Sequence, residues 1–370
     1  MTILSFELKK LLFSKRFLYT LLVLVLLVVG VFVQNIFFQD LVEDEEKNKV
    51  TAYTQEVQKN LRELSSILEQ TPEDENSKLK YQQLGKALNK IYAWNEAFSS
   101  ENWRVPLTRK KEFFEELLLY KELQGEFSTT TDEIKQIIAV SQHHLQVDIE
   151  PQSERYSIKM PNFLKLITSI YVNLGAIVLV LLLVGDSLTS EFEQRSIQFL
   201  YTQPVKKHSI IHAKFITAII AYAVITFVVY FAAWITAYFL GKAGSYDYPI
   251  LLNVEGRFEF ITIREYIVWS LIAITLSVLM VVALNFFISL LVKNTIVTLL
   301  ITLLIIVIGY FGLQYVSASF IDWLNPFAFT FAGMHVLKVK DAWVNSIYIT
   351  VGVGVLFYIL TLLKLKRTHV

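Results

Sequence analysis

The chain has 370 residues and contains no cysteine. Disulfide bonds, thiolate metal sites and cysteine nucleophiles are therefore excluded. Charged residues are also scarce, at 18% of the chain, and the formal net charge is only +1. No basic groove accompanies the aromatic residues, so we expect no nucleic-acid partner.

Apolar residues, in contrast, make up 54% of the chain, and the mean hydropathy is +0.47. A membrane-spanning helix needs about 20 mostly apolar residues. Six stretches meet this requirement: 17–38, 163–185, 215–240, 266–292, 295–316 and 343–363. The predicted fold class is therefore all-α, a polytopic membrane protein with six transmembrane helices.

Lysine and arginine predict how these spans are oriented. With six spans, the basic groups between and beside them fall on one side of the membrane, which favours a cytoplasmic location for both termini. The groups are Lys9, Lys10, Lys15 and Arg16; Arg195, Lys206, Lys207 and Lys214; Lys293; and Lys364, Lys366 and Arg367. The first apolar stretch, 17–38, is interpreted as a retained span, because no small-residue cleavage site follows it.

Residues 1–16 have the pattern of an amphipathic helix. Leu4, Leu8, Leu11 and Leu12 share one face, whereas the charged residues lie largely elsewhere. This pattern favours an elbow helix lying flat in the membrane interface. A plain cytoplasmic extension of the first span is the alternative.

Segment 39–162 is predicted to be an extracellular helical domain between spans 1 and 2. Apolar residues recur at three- and four-residue steps, and the segment divides into about four helices. Thr71 followed by Pro72 predicts one helix start, and Thr130 with Glu133 predicts a capping box at another. The domain's role stays open between gating an exit, recognising cargo and binding a partner.

Several enzyme classes lack their residues here. The chain has no Walker A pattern and no HExxH, and its spans carry almost no ionisable groups. His208 and His212 stand four apart without a third ligand nearby, so titratable interface histidines are favoured over a metal site. Among polar span residues, Asn173, Thr226 and Asn285 are candidates for lining a path, although interhelical hydrogen bonds would explain them equally.

The stretch between the last two spans is apolar but interrupted. Asn325-Pro326 and Gly333 prevent one straight helix from crossing there. A short re-entrant or interfacial pair of helices is one prediction. An ordinary loop in the aromatic belt is the other.

The loop between the second and third spans is predicted to carry a short helix at 187–203. Ser190 with Glu193 fits a capping box, and Pro204 ends the helix. Phe192 and Phe199 place aromatic side chains on this loop. A loop that only had to be soluble would not need them. A surface that contacts a partner is therefore favoured over a solvated connection.

The run EFEQRSIQFLYTQPVKK at 191–207, followed by IHAK at 211–214, resembles the signature loop of ABC-2-type transporter permeases. Six spans, an N-terminal elbow and a broken segment before the last span are also similar to that family. The resemblance does not cover 39–162, and it departs at Arg195 and Ser196, where glycine and threonine are usual. It implies that the loop helix docks on a separate ATPase through Glu191, Phe192, Glu193, Arg195, Ile197, Phe199, Leu200 and Pro204.

By resemblance, the chain is the permease subunit of an ATP-driven transporter, an exporter of a peptide, lipid or drug-like amphipathic substrate. ATP and Mg²⁺ would bind the partner ATPase, and this chain would hold no cofactor and not be an enzyme. A second permease subunit, alike or different, would complete the path in a bacterial plasma membrane. The alternative is a non-transporting membrane receptor or assembly anchor that binds through its outer domain.

Overall fold

A computed structural model describes residues 3–153, 155–196, 206–254, 257–315, 324–338 and 342–367. The chain divides into two compact units. The membrane unit comprises 1–33, 158–247 and 252–370, and the helical insert comprises 34–157 and 248–251.

The membrane unit is built from apolar helices. Six described helical stretches are long and apolar enough to cross a membrane, which confirms the predicted number of spans. The helices are α1 (Ile3–Leu12), α2 (Lys15–Phe37, which runs into the insert), α7 (Met160–Val172), α8 (Gly175–Val184), α9 (Thr189–Glu193), α10 (Lys207–Leu240), α11 (Ile263–Val292), α12 (Thr295–Tyr315), α13 (Ala332–Lys338) and α14 (Ala342–Arg367), with a 3₁₀ turn at Ala328–Thr330.

The second predicted span, 163–185, is not one continuous helix. It consists of α7 and α8, which are separated at Asn173 and Leu174. Leu174 has a φ of 73°, in the left-handed region that non-glycine residues rarely adopt. The stretch 175–193 also passes the length and hydropathy test, but it includes two carboxylates of α9. The apolar pair α7–α8 is therefore the better description of this span.

The break is held by the segment before the last span. The Leu174 amide donates to the Thr330 carbonyl at 2.9 Å, and Asn173 pairs with Phe331. The Met334 amide donates to the Asn173 side chain at 3.3 Å. A Cβ on Gly333 would lie 2.6 Å from the Tyr266 hydroxyl, so glycine permits this close approach. In the described residues 324–338, short helical pieces replace a single straight helix, as predicted.

The helical insert contains α3 (Gln39–Gln70), α4 (Glu75–Ala97), α5 (Arg104–Glu122) and α6 (Thr131–Val147). Its core is aromatic and aliphatic, and includes Val57, Leu84, Ile91, Trp94, Phe113, Phe114 and Ile134. The capping box of Thr130 and Glu133 is confirmed. The predicted start at Thr71 is wrong, because Thr71 ends α3 and Asp74 caps α4.

One small sheet departs from the all-α expectation. Strands β1 (Pro249–Val254) and β2 (Arg257–Thr262) pair with each other. Residues 257–260 alternate polar and apolar, which is a strand signal. Thr262 then forms a capping box with Glu265, so α11 starts at Ile263, three residues before the predicted span.

Candidate functional site

The predicted docking loop begins with a tight turn after α8. A Cβ on Gly185 would overlap the Leu181 carbonyl oxygen and the Leu299 side chain, so only glycine fits there. Asn285 of α11 donates to the Gly185 carbonyl at 3.0 Å. The turn is thus packed tightly, which restricts the conformation of the chain between α8 and α9.

A buried lysine lies beside α9. Lys214 of α10 is 1% exposed, and its Nζ donates to Glu191 Oε1 at 2.6 Å and to Glu7 Oε1 at 3.0 Å. The Ser187 carbonyl accepts a third hydrogen bond at 2.9 Å. A charged lysine is costly to bury unless it is paired and hydrogen-bonded, and all three ammonium hydrogens have acceptors here. We call Glu7, Glu191 and Lys214 the ion cluster; it joins α1, α9 and α10.

Two further contacts join α9 to the start of α12. The Thr295 amide donates to Glu193 Oε1 at 2.7 Å, and the Thr189 and Thr295 hydroxyls lie 2.7 Å apart. Because the first amides of a helix lack intrahelical acceptors, Glu193 stabilises the N-terminus of α12.

The start of α2 is tied to the same turn. Arg16 forms an ion pair with Asp186 at 2.7 Å and donates to the Leu182 carbonyl. Together with the ion cluster and Glu193, this contact connects the α8–α9 turn to α1, α2, α10 and α12.

The structure places the predicted docking residues in different surroundings. Glu191 is 4% exposed and paired inside the protein, so its carboxylate does not face a partner. Phe192 is half-buried, with Lys293 Nζ 5.6 Å from its ring centroid. Glu193 and Arg195 are exposed. The remaining four, Ile197, Phe199, Leu200 and Pro204, lie outside the described residues.

The predicted helix at 187–203 is shorter where the structure describes it. Helix α9 ends at Glu193, and Ser190 lies within it rather than capping it. Arg195 has a φ of 57°, which is the left-handed conformation that commonly ends helices and favours glycine. The position where the chain departs from the glycine of its resemblance is therefore one where glycine would be less strained.

The three candidate path-lining residues hold helices together in this structure. Asn285 is 1% exposed and accepts from Thr302 of α12 at 3.2 Å. Thr226 of α10 shares a hydrogen bond of 2.7 Å with Tyr171 of α7. Asn173 lies at the break in the second span. Lining of a path stays a prediction for all three.

These features can be compared with known proteins. A sequence model described as "ABC-2 family transporter protein" matches residues 1–369. The chain belongs to the ABC-2 transporter family. Membership implies a membrane component that works with an ABC ATPase. The matched range includes the helical insert as well as the spans. The chain matches no curated protein and no solved structure.

Sequence reasoning missed the ion cluster of this ABC-2 protein. In the sequence, Lys214 indicates only the orientation of the spans and belongs to the run that resembles the signature loop, and the charged residues of 1–16 indicate only the polar face of the elbow helix. One signal was available: Lys214 lies among Ile211, Ala213 and Phe215 at the start of an apolar helix. A lysine in that position needs an acidic partner, but the sequence does not say which acid folds back to it.

Proposed function

We propose that this ABC-2 protein is the permease subunit of an ATP-driven exporter of a peptide, lipid or drug-like amphipathic substrate. It docks on a separate ATPase, which binds ATP and Mg²⁺, through the loop at 187–203. A second permease subunit, identical or related, completes the path. Both termini face the cytoplasm of a bacterial plasma membrane, because the basic groups cluster at the same ends of the spans as the ion cluster.

The anchoring of α9 is the observation that carries this proposal. A docking segment transmits force only if it is rigidly joined to the helices that move. Helix α9 follows α8 after one tight turn and is bonded to α1, α10 and α12 through Glu191 and Glu193. A force applied to this loop is therefore transmitted to several helices at once.

The break in the second span suggests where that load produces movement. Helix α8 forms the inner part of the span and leads into α9, and α7 forms the outer part. Asn173 and Leu174 join them and contact the segment at 324–338. Tilting α8 about this break would pull on that segment and open or close the outer end of a path.

In this proposal the docking residues have two roles. Glu191 positions α9 from inside, and the exposed Arg195 with the apolar residues at 197–204 contacts the ATPase. Apolar anchors with a charged rim are typical of such interfaces. Phe192, which packs partly against the core, belongs to both groups.

The test is co-purification with an ATPase that carries Walker A and is encoded beside this chain. Arg195→Glu combined with Phe199→Ala is expected to weaken binding by at least about 30-fold, as loss of an interface hot spot does. Lys366→Glu changes the same charge at another exposed inner position and should leave binding intact. Unchanged binding and unchanged coupled ATP hydrolysis in the double variant would refute docking through this loop. The absence of any ATPase partner would instead favour the receptor alternative.

A further inference from the structure

A groove of about 230 Å³ lies where α10, α11 and α14 meet in the membrane unit. Val351 and Val355 of α14 line it and are 42% and 52% exposed, so the groove opens toward the surrounding bilayer. A side chain at Gly354 would fill this recess, since its Cβ would already lie 3.2 Å from Met280 Cα of α11. The groove is therefore a depression in the lipid-facing surface and not a gap inside the bundle.

The groove presents hydrocarbon to its occupant. Two lining residues are polar, Thr350 and Tyr358. The Thr350 hydroxyl donates to the Pro326 carbonyl at 3.0 Å, and the Tyr358 hydroxyl is hydrogen-bonded to Nδ1 of His212. Because both hydroxyls already have partners, the occupant that fits this groove is apolar.

The dimensions of the groove fit a single hydrocarbon chain. Thr350 and Tyr358 are about 12 Å apart along the axis of α14 at the usual helical rise. The hydrocarbon of one bilayer leaflet is about 15 Å deep. A helix of a second protein is too wide, because one helical turn with its side chains occupies about 400 Å³. One acyl chain of a lipid is therefore the occupant of the right size.

Imidazole rings continue from the groove toward the start of α10. The Phe215 and Tyr358 rings, with centroids 4.8 Å apart, lie at this end of the groove. His212 is bonded to Tyr358, and the centroid of the His208 ring is 6.0 Å from that of His212. When the Tyr358 hydroxyl donates to Nδ1, the hydrogen of the His212 ring is on Nε2, which can donate to a phosphate oxygen.

The helix ends beyond these rings are basic. They carry Lys207 and His208 of α10, Lys293 after α11, and Lys364 and Lys366 of α14. Lys366 shares a helix face with Val355, because about three turns separate the two residues. Among the described residues of these three helices the only acid is Glu265, in the first turn of α11 at its opposite end. A headgroup with net negative charge therefore matches this end, whereas the ammonium of a zwitterionic headgroup finds no acid on these helices.

We propose that this groove binds one acyl chain of an anionic glycerophospholipid. The phosphate contacts His208 and His212, and the net negative charge of the headgroup lies near Lys366. A bound lipid would contact α10, α11 and α14 together and stabilise their packing. The site depends on neither ATPase docking nor transport, so its test uses the full chain alone.

The experiment measures the lipids retained by the purified chain in native mass spectrometry. The chain is exposed to equal amounts of phosphatidylglycerol and phosphatidylcholine in mixed micelles, and we expect preferential retention of phosphatidylglycerol. Val355→Trp places a bulky ring in the groove and should lower the affinity for both lipids by about tenfold, because many dispersion contacts with the acyl chain are lost. Leu356→Trp is the matched control, since Leu356 is 53% exposed and does not line the groove.

Headgroup variants separate recognition of the phosphate from recognition of the net charge. His212→Phe keeps a ring beside Tyr358 but removes the donor, and should weaken both lipids by about tenfold, the loss expected for one hydrogen bond to a charged group. Lys366→Gln should weaken phosphatidylglycerol alone by about fivefold, the effect of one lysine near an anionic headgroup. His143→Phe, in α6 of the helical insert, is the control for loss of a histidine. Lysophosphatidylglycerol should be retained as well as phosphatidylglycerol, because the groove takes one acyl chain.

Four outcomes would overturn the proposal. Equal retention of the two lipids would show that the charge of the headgroup is not recognised. Displacement of the lipid by soluble glycerophosphoglycerol would show a phosphate site that does not need the groove. A dimeric chain that Val355→Trp makes monomeric would show that a second copy occupies the groove. Retention unchanged by Val355→Trp and by His212→Phe, in chains that remain monodisperse, would show nonspecific lipid only.

Discussion

Replacing Lys214 by methionine removes the positive charge at the centre of the ion cluster while keeping an unbranched side chain of similar length. Two carboxylates, Glu7 and Glu191, then remain buried beside each other at 5% and 4% exposure. Removing one partner of a buried ion pair costs about 3–5 kcal/mol, because the other partner loses its buried counter-charge. Lys10, whose Nζ lies 3.7 Å from Glu191 Oε1, remains, but its side chain is 52% exposed and its charge is screened by solvent. We expect a loss of stability in that range for Lys214→Met.

The same reasoning predicts the stability of other variants of the cluster. Glu7→Gln leaves Lys214 paired with Glu191 at 2.6 Å, so it removes one charged hydrogen bond and costs about 1.5–3 kcal/mol. The triple variant Glu7→Gln, Glu191→Gln, Lys214→Met carries no buried charge. It should regain most of the loss, because neutral replacements for buried ion pairs are often well tolerated.

Thermal unfolding of the purified chain measures these differences. At about 2–4 °C for each kcal/mol, Lys214→Met should lower the melting temperature by roughly 10 °C. Lys366→Met, at an exposed position of α14, serves as the control and should change it little. If the triple variant melts no higher than Lys214→Met, the loss does not come from unbalanced charge, and the reasoning is refuted.

Two further predictions concern backbone conformation and pH. Arg195→Gly should raise stability by roughly 0.5–1 kcal/mol in thermal unfolding, because the strain at a φ of 57° exceeds the added backbone entropy of glycine; a lower melting temperature would contradict this. In the helical insert, burial lowers the pKa of His144 from its usual value of 6.5, so the folded state keeps it neutral while the unfolded state takes up a proton. The insert should therefore lose stability as the pH falls below 6.5, and His144→Gln should reduce that loss. Hydrogen exchange of α6, corrected for the intrinsic effect of pH on amide exchange, measures it, and equal protection at pH 5.5 and 7.5 would contradict it.

The main features of the fold were accessible from sequence because they depend on local composition. Runs of about 20 apolar residues predicted six spans, and the pairing of Thr130 with Glu133 predicted a helix start. The break at Asn173 was not accessible, because the bonds that hold it come from Thr330 and Met334, far along the chain. Asn173 and Gly175 are only weak local signals of a break in 163–185, because glycine is also frequent in continuous membrane helices.

The same limit applies to the candidate site. The resemblance implied that the Glu191 carboxylate faces an ATPase. In the structure this side chain points inward, because it pairs with the buried Lys214 at 2.6 Å. Whether an acid faces a partner or the interior depends on residues from other helices, and one sequence does not show that pairing.

The ion cluster also sets an order of events during synthesis. Glu7 and Lys214 are 207 residues apart, and residues 34–157 of the helical insert are translated between them. Helix α1 therefore leaves the ribosome long before Lys214, which neutralises Glu7, is synthesised. Closure of the ion cluster is therefore a late step of assembly, and a chain that stops before α10 lacks the buried lysine that pairs with Glu7 and Glu191.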